Sequence, residues 1–176
     1  MATKKFNAAL SLLTTLLLFV HAISIAAWML SRGAIGRLPA LMSWGLAACM
    51  LLHMFISVEV LIARLIGEEP HKGKMYPKAN RVAIVQRASG VLLFVTTIPH
   101  VLGTLGLVTP PPAVHAILPP LFFIVAMVHT AVSFSRALIT LGIGTAKVIK
   151  AADIAAKVIC AATLAADIVG FYLFVV

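Results

Sequence analysis

The feature that most constrains this chain is a series of five long apolar stretches, separated by short polar or proline-rich segments. The stretches cover residues 6–30, 38–65, 82–108, 114–141 and 149–176. Each is longer than the roughly 20 residues that a helix needs to cross the hydrocarbon core of a bilayer. Backbone amides find no water inside lipid, so such segments are expected to be helical. The sequence therefore predicts an all-α membrane protein, a single domain built as a five-helix transmembrane bundle.

The composition excludes the soluble and disordered classes of protein. Of the 176 residues, 62% are hydrophobic and 11% are charged, with a mean hydropathy of +1.10. A soluble domain is about half apolar and about a quarter charged, and a disordered chain carries still fewer apolar residues. Five spans leave no room in this length for a soluble catalytic domain, so soluble chemistry is expected in partner chains. Cys49 and Cys160 form no CxxC motif, which disfavours a disulfide framework, a zinc site and covalent haem attachment.

The net charge of +9 indicates orientation in the membrane rather than binding of nucleic acid. The basic residues flank the apolar stretches and concentrate near the N-terminus, in residues 64–87 and in residues 136–150. These three segments lie on the same side of the membrane if all five stretches cross it. By the positive-inside rule, the N-terminus is then cytoplasmic and the C-terminus lies outside. The chain is expected in the inner (cytoplasmic) membrane, with residues 64–87 as a docking face for a partner.

Four histidines lie inside the apolar stretches, one in each of the first four: His21, His53, His100 and His129. Ionisable residues at such depth are costly and are usually functional. A single histidine is explained equally well by an interhelical hydrogen bond, but four histidines on four helices are harder to explain in that way. A rise of ~1.5 Å per residue from the cytoplasmic boundary places His129 and His53 about 10 and 16 Å deep, and His100 and His21 about 20 and 22 Å deep.

The depths define a shallower pair on the second and fourth stretches and a deeper pair on the first and third. Two haems b stacked across a membrane need this arrangement, because each iron takes one axial imidazole from each side. The predicted iron ligands are thus His53 with His129, and His21 with His100. Zinc is the competing metal, but the absence of neighbouring carboxylate or thiolate ligands in the sequence makes it a poorer fit.

Two motifs around these histidines resemble a known family. Residues 86–90 read QRASG and are followed, ten residues after the glycine, by His100, which fits the pattern Q-x-x-[ST]-G-x9-H. His129 and Arg136 fit the pattern H-x6-R. These patterns, with five helices and histidines on four of them, resemble the di-haem cytochrome b subunits of succinate:quinone reductases and quinol:fumarate reductases. In the first stretch, residues 7–11 read NAALS where relatives often carry a second Q-x-x-[ST]-G.

The resemblance implies a membrane anchor that passes electrons between a quinone and two partner subunits, a flavoprotein with FAD and an iron–sulfur protein. Such a subunit carries haem and quinone chemistry but not the dicarboxylate site. Small residues let a helix approach a porphyrin or another helix closely, and guanidinium groups pair with propionates. The haem-binding candidates are Gln86, Arg87, Ser89, Gly90 and Arg136. The quinone candidates are Arg37, Ser43 and Trp44 at the outer end, or Glu59, Arg64 and Arg87 at the inner end.

The sequence is also compatible with two other functions, and it leaves the roles of three acidic residues undecided. The chain is alternatively a cytochrome b anchor of another respiratory dehydrogenase, or a small histidine-dependent proton or metal transporter. Glu59 either relays quinone protons or pairs with an arginine. Asp153 is expected at the interface. Asp167 is deep enough to need a partner, either Lys157 or a proton path.

Overall fold

The computed structural model describes residues 2–31, 38–67, 77–109 and 111–175. Over these residues the chain forms five α-helices and no strand. The helices are α1 (Ala2–Leu30), α2 (Leu38–Gly67), α3 (Pro77–Thr104), α4 (Pro112–Leu141) and α5 (Ala146–Val175). All five are long and apolar enough to cross a membrane. The prediction of an all-helical chain with five membrane-spanning helices is confirmed.

Several helices begin before the apolar stretch that predicted them. Helix α1 starts at Ala2 rather than at residue 6, and α5 starts at Ala146 rather than at residue 149. Hydropathy marks where a segment becomes apolar, whereas backbone hydrogen bonding continues into the polar flank. Helix α5 is continuous through Asp153, the residue expected at the membrane interface. Prolines begin α3 and α4, where the missing amide donor has no helical acceptor to lose.

Helices α1, α4 and α5 pack against one another and form the centre of the bundle. Ala22 of α1, Met127 of α4 and Cys160 of α5 form a buried apolar cluster at this centre. Helices α1 and α5 also approach closely at Gly170, where an added Cβ would lie 3.3 Å from the Cβ of Met29. Small side chains therefore let these helices pack tightly, as is usual between helices in membranes.

Helices α2 and α3 each pack against a single helix of this centre. Helix α2 packs against α1, and α3 packs against α4. Within the described ranges, α2 forms no packed interface with α3 or α4, and α1 forms none with α3. Only 6% of the most apolar part of α2 is buried, against 33% for α4 and α5. The four histidine-bearing helices thus run in the order α2, α1, α4, α3, and the side between α2 and α3 is not closed by packing.

Candidate functional site

The four intramembrane histidines come together as two pairs, each across the bundle. His53 on α2 lies close enough to His129 on α4 for the two rings to interact electrostatically. His21 on α1 lies equally within electrostatic range of His100 on α3. Neither pair of helices is packed together in the described part of the chain. Each histidine pair therefore spans the interior of the bundle instead of lying at a helix–helix contact, and these are the pairs that the depth count predicts.

The two pairs lie at different levels along the bundle. His21 and His100 lie about nine and four residues before the ends of α1 and α3, whereas His53 and His129 lie about fifteen and seventeen residues after the starts of α2 and α4. These four helix ends lie on one side of the bundle because consecutive spans run in opposite directions. At 1.5 Å per residue, the two levels are separated by roughly 15 Å.

The imidazole of His129 is held by the motif on α3. Its Nδ1 lies 3.1 Å from Oγ of Ser89, and the ring also hydrogen-bonds the backbone of Gln86. A Cβ added at Gly90 would lie 3.1 Å from Cε1 of His129, so a larger residue would force the ring to shift by a few tenths of an ångström. The Nδ1 edge of the His129 ring therefore contacts Gln86, Ser89 and Gly90. Nε2 lies at the opposite edge of the ring.

The imidazole of His53 is held in the same manner by α1. Its Nδ1 lies 2.9 Å from Oδ1 of Asn7, and Nδ2 of Asn7 donates a hydrogen bond of 3.0 Å to Oγ of Ser57. An amide oxygen only accepts, so Nδ1 of His53 carries the proton and Nε2 of the neutral ring carries the lone pair. Asn7 and Ser57 are functional candidates that the motif analysis does not select.

A sequence spacing connects Asn7 with Gln86. Asn7 lies fourteen residues before His21 on α1, and Gln86 lies fourteen residues before His100 on α3. Fourteen residues are about four helical turns, so each amide side chain lies on nearly the same face as the deeper histidine of its own helix. Asn7 contacts the shallower histidine of the next helix through its side-chain amide, whereas Gln86 does so through its backbone. This repeated offset is the signal that identifies Asn7.

The deeper pair lies in a more apolar setting. The ring of His100 stacks on Phe122, with ring centroids 4.2 Å apart and planes 9° from parallel. Nδ1 of His21 lies 3.5 Å from Oγ of Ser43, one of the predicted outer quinone residues. His21 and His100 line a common cavity with Asp167 of α5. The carboxylate is the only acidic group on the wall of this cavity among the described residues.

The cavity between His21 and His100 is small. Its volume is about 20 Å³, which is room for about one water molecule. A porphyrin is much larger than this cavity, so the helices that carry His21 and His100 would have to separate to admit one. Helix α3 packs against α4 alone in the described part of the chain, so it is one of the two least constrained helices of the bundle.

A second and larger space of about 180 Å³ lies between α3 and α4. Its walls include Pro99, His100, Thr104, His115 and Pro119. Because Pro119 has no amide N–H, the carbonyl of His115 lacks the donor that residue 119 of a regular helix would supply. This groove is thus lined by His115, which has a ring and a backbone carbonyl able to hydrogen-bond, and by His100. His115 is not among the functional residues predicted from the sequence.

The remaining predicted site residues are not gathered at the histidines. The side chains of Arg87 and Glu59 are exposed, Trp44 is 68% exposed, and Arg136 is half-buried. Arg37 lies outside the described residues, as does the side chain of Arg64. Glu59 and Arg87 do not form the ion pair considered for them.

The described residues contain one ion pair, between Lys157 and Asp153 on successive turns of α5. Lys157 is therefore not the partner of Asp167, and that interpretation of Asp167 was wrong. Asp153 is partly exposed and is satisfied by this neighbour.

Comparisons with protein-family models, with curated proteins and with solved structures found no match. The functional argument consequently rests on the site itself. Each pair offers two imidazoles, and no group of three or more His, Cys, Asp or Glu side chains suited to a metal ion occurs within the described ranges. Two imidazoles are the donor set that completes an iron porphyrin, which supplies four nitrogens of its own. The residues present therefore fit haem in the chemistry of their donors and in the unpacked helix pairs that carry them.

Proposed function

We propose that the chain is a di-haem electron-transfer subunit that anchors a succinate dehydrogenase or fumarate reductase to the membrane. The observation that carries this proposal is the pairing of His53 with His129, and of His21 with His100, across helices that do not pack together. Two half-buried imidazoles on helices that do not pack together are explained if each pair binds one iron. Bound haem supplies reversible one-electron transfer, which neither the side chains nor the backbone provide.

The hydrogen bonds at the inner pair support a ligand role for its imidazoles. A histidine that binds a metal through Nε2 is commonly oriented by a hydrogen bond at Nδ1. Asn7 supplies that bond to His53, and Ser89 lies at the corresponding position of His129. An interhelical hydrogen bond alone would not require the glycine that admits the ring of His129.

The groove between α3 and α4 is the proposed quinone site. A quinone ring accepts hydrogen bonds at its carbonyls, and the quinol form donates them. The imidazole of His115 is a donor for the first and its backbone carbonyl is an acceptor for the second. The groove also borders His100, so a quinone head group in it would lie beside the outer haem. Trp44 and Glu59, the residues predicted from sequence, line neither this groove nor the cavity.

The exposed basic side chains support attachment of partner subunits at the inner end of the bundle. Lys4 and Lys5 precede the apolar part of α1, and Arg81 and Arg87 lie near the start of α3, all four of them exposed. Positive charge on this side agrees with a cytoplasmic N-terminus. The shallower pair, His53 and His129, lies nearer to this side. It would therefore face the iron–sulfur subunit, which passes electrons on to or from the flavoprotein with FAD.

Haem content is the first test of this proposal. The protein is purified from membranes in mild detergent, and its haem is measured by the pyridine haemochrome assay against protein mass. We expect a b-type spectrum and two haems per chain. Colourless protein that transports protons or metal ions in vesicles would instead support a transporter, a class in which the buried Asp167 beside His21 and His100 would relay protons.

The partner and the quinone need separate measurements. Copurification with a subunit that contains FAD distinguishes the succinate or fumarate complex from a hydrogenase or formate dehydrogenase anchor. For the quinone, we expect His115→Leu to slow haem reduction by a short-chain quinol about tenfold, the value of one hydrogen bond. Reduction by dithionite should not change. Trp44→Phe and Glu59→Gln are the matched controls, and slower quinol reduction in either would place the quinone elsewhere.

A further inference from the structure

Asp167 is the most deeply buried charged residue in the described part of the chain. It lies on α5, the helix without a buried histidine, and only 1% of it is exposed. Neither of its carboxylate oxygens has a hydrogen-bond partner among the described residues. An ionised carboxylate that is buried without a partner opposes folding, so a stabilising role in helix packing does not explain this residue.

The surroundings of Asp167 contain no cation from the described residues. The cavity that it lines is otherwise apolar, apart from the rings of His21 and His100. The nearest lysine along α5, Lys157, is paired with Asp153. The carboxylate of Asp167 therefore has no cationic partner among the described residues that line the cavity beside His21 and His100.

We propose that Asp167 is the counter-charge of the outer haem, the one that His21 and His100 would bind. This inference rests on the proposed function. Apart from its propionates, the iron porphyrin core with two neutral imidazoles would carry one net positive charge in the ferric form and none in the ferrous form. A nearby carboxylate in a low-dielectric interior therefore stabilises the ferric form. Its presence lowers the reduction potential of the outer haem and leaves the inner haem, whose histidines bond neutral side chains, at a higher potential.

The difference in reduction potential between the two proposed haems would favour one direction of electron transfer. Haem bound at the outer site would supply a one-electron couple whose ferric form Asp167 stabilises. The carboxylate would thereby favour electron transfer from the outer groove toward the inner end of the bundle. It acts through charge and is a positioning residue rather than a ligand.

The test is a spectroelectrochemical titration of the full-length, haem-containing protein. Asp167→Asn should raise the midpoint potential of one haem and leave the other unchanged. Asp153→Asn is the matched control, because it makes the same substitution on the same helix at a paired and partly exposed site; it should move neither potential. Introducing Asp167→Asn into a His53→Ala background, which keeps only the outer haem, identifies the affected haem as the outer one.

The outcomes separate this inference from the proposed function. Asp167→Glu should bind both haems and keep the low potential. Loss of the outer haem in Asp167→Asn but not in Asp167→Glu also supports a required negative charge. Unchanged potentials in Asp167→Asn, or equal loss of haem in both variants, would overturn the role of Asp167 while the di-haem assignment stands. Wild-type protein without haem would overturn both.

Discussion

Oγ of Ser89 lies 3.1 Å from Nδ1 of His129, across the interface between α3 and α4. The bond connects a short motif on one helix to the proposed iron ligand on the next. The motif residues therefore contribute to the site by orienting an imidazole of the neighbouring helix. The predictions below test that arrangement, from the glycine beside the ring to the pairing of the ligands.

Replacing Gly90 by alanine should displace the ring of His129. The added Cβ would lie 3.1 Å from Cε1, closer than ordinary van der Waals contact, so the ring must shift by a few tenths of an ångström. Overpacking of this kind costs roughly 1–3 kcal/mol. We expect weaker retention of the inner haem and an altered low-spin ferric EPR signal. Gly45→Ala is the control, because nothing lies within 4 Å of its added Cβ; an equal effect there would contradict the prediction.

Single replacements within a pair should remove the same haem. His53→Ala and His129→Ala should each leave one haem per chain, and the double variant should also leave one. The reason is that each iron needs both axial imidazoles, so the second loss has nothing further to remove. Haem stoichiometry of the three variants checks this. A double variant without any haem would show that the pairs are assigned wrongly.

Replacing Asn7 by leucine should loosen the inner site without removing a ligand. Nδ1 of His53 would lose its 2.9 Å hydrogen bond, and an unsatisfied buried donor costs about 1–3 kcal/mol. We expect faster loss of the inner haem to a haem acceptor such as apomyoglobin, with the outer haem retained. Thr14→Val on the same helix is the comparison, because its hydroxyl donates only to the carbonyl of Leu10. Similar haem loss in both variants would contradict a specific role for Asn7.

Replacing Phe122 by leucine should weaken the outer site. The stacked pair with His100, with centroids 4.2 Å apart, contributes about 0.5–1.5 kcal/mol beyond burial of its area. We expect a lower thermal midpoint in detergent and greater mobility of the outer haem ligand in EPR. Phe55→Leu, at an exposed position of α2, should change neither. If both variants behave as wild type, the stacking has no measurable role.

Much of this arrangement follows from regular helix geometry. A constant rise per residue converts sequence position into depth, which is why His53 and His129, or His21 and His100, are matched by counting alone. Rotation of each helix about its axis is set by packing, and counting does not give it. The contact between Asn7 and His53 and the burial of Asp167 depend on that rotation. The groove at His115 depends in addition on where prolines interrupt the backbone bonds of α4.

The single packed neighbour of α2 and of α3 has a consequence for biogenesis if the proposed haems bind. In a newly inserted chain, the side between these two helices would stay accessible until the haems joined the opposite walls. Chains that have not received them would be preferred targets of membrane proteases. We therefore expect the cellular abundance of this protein to follow the supply of iron porphyrin.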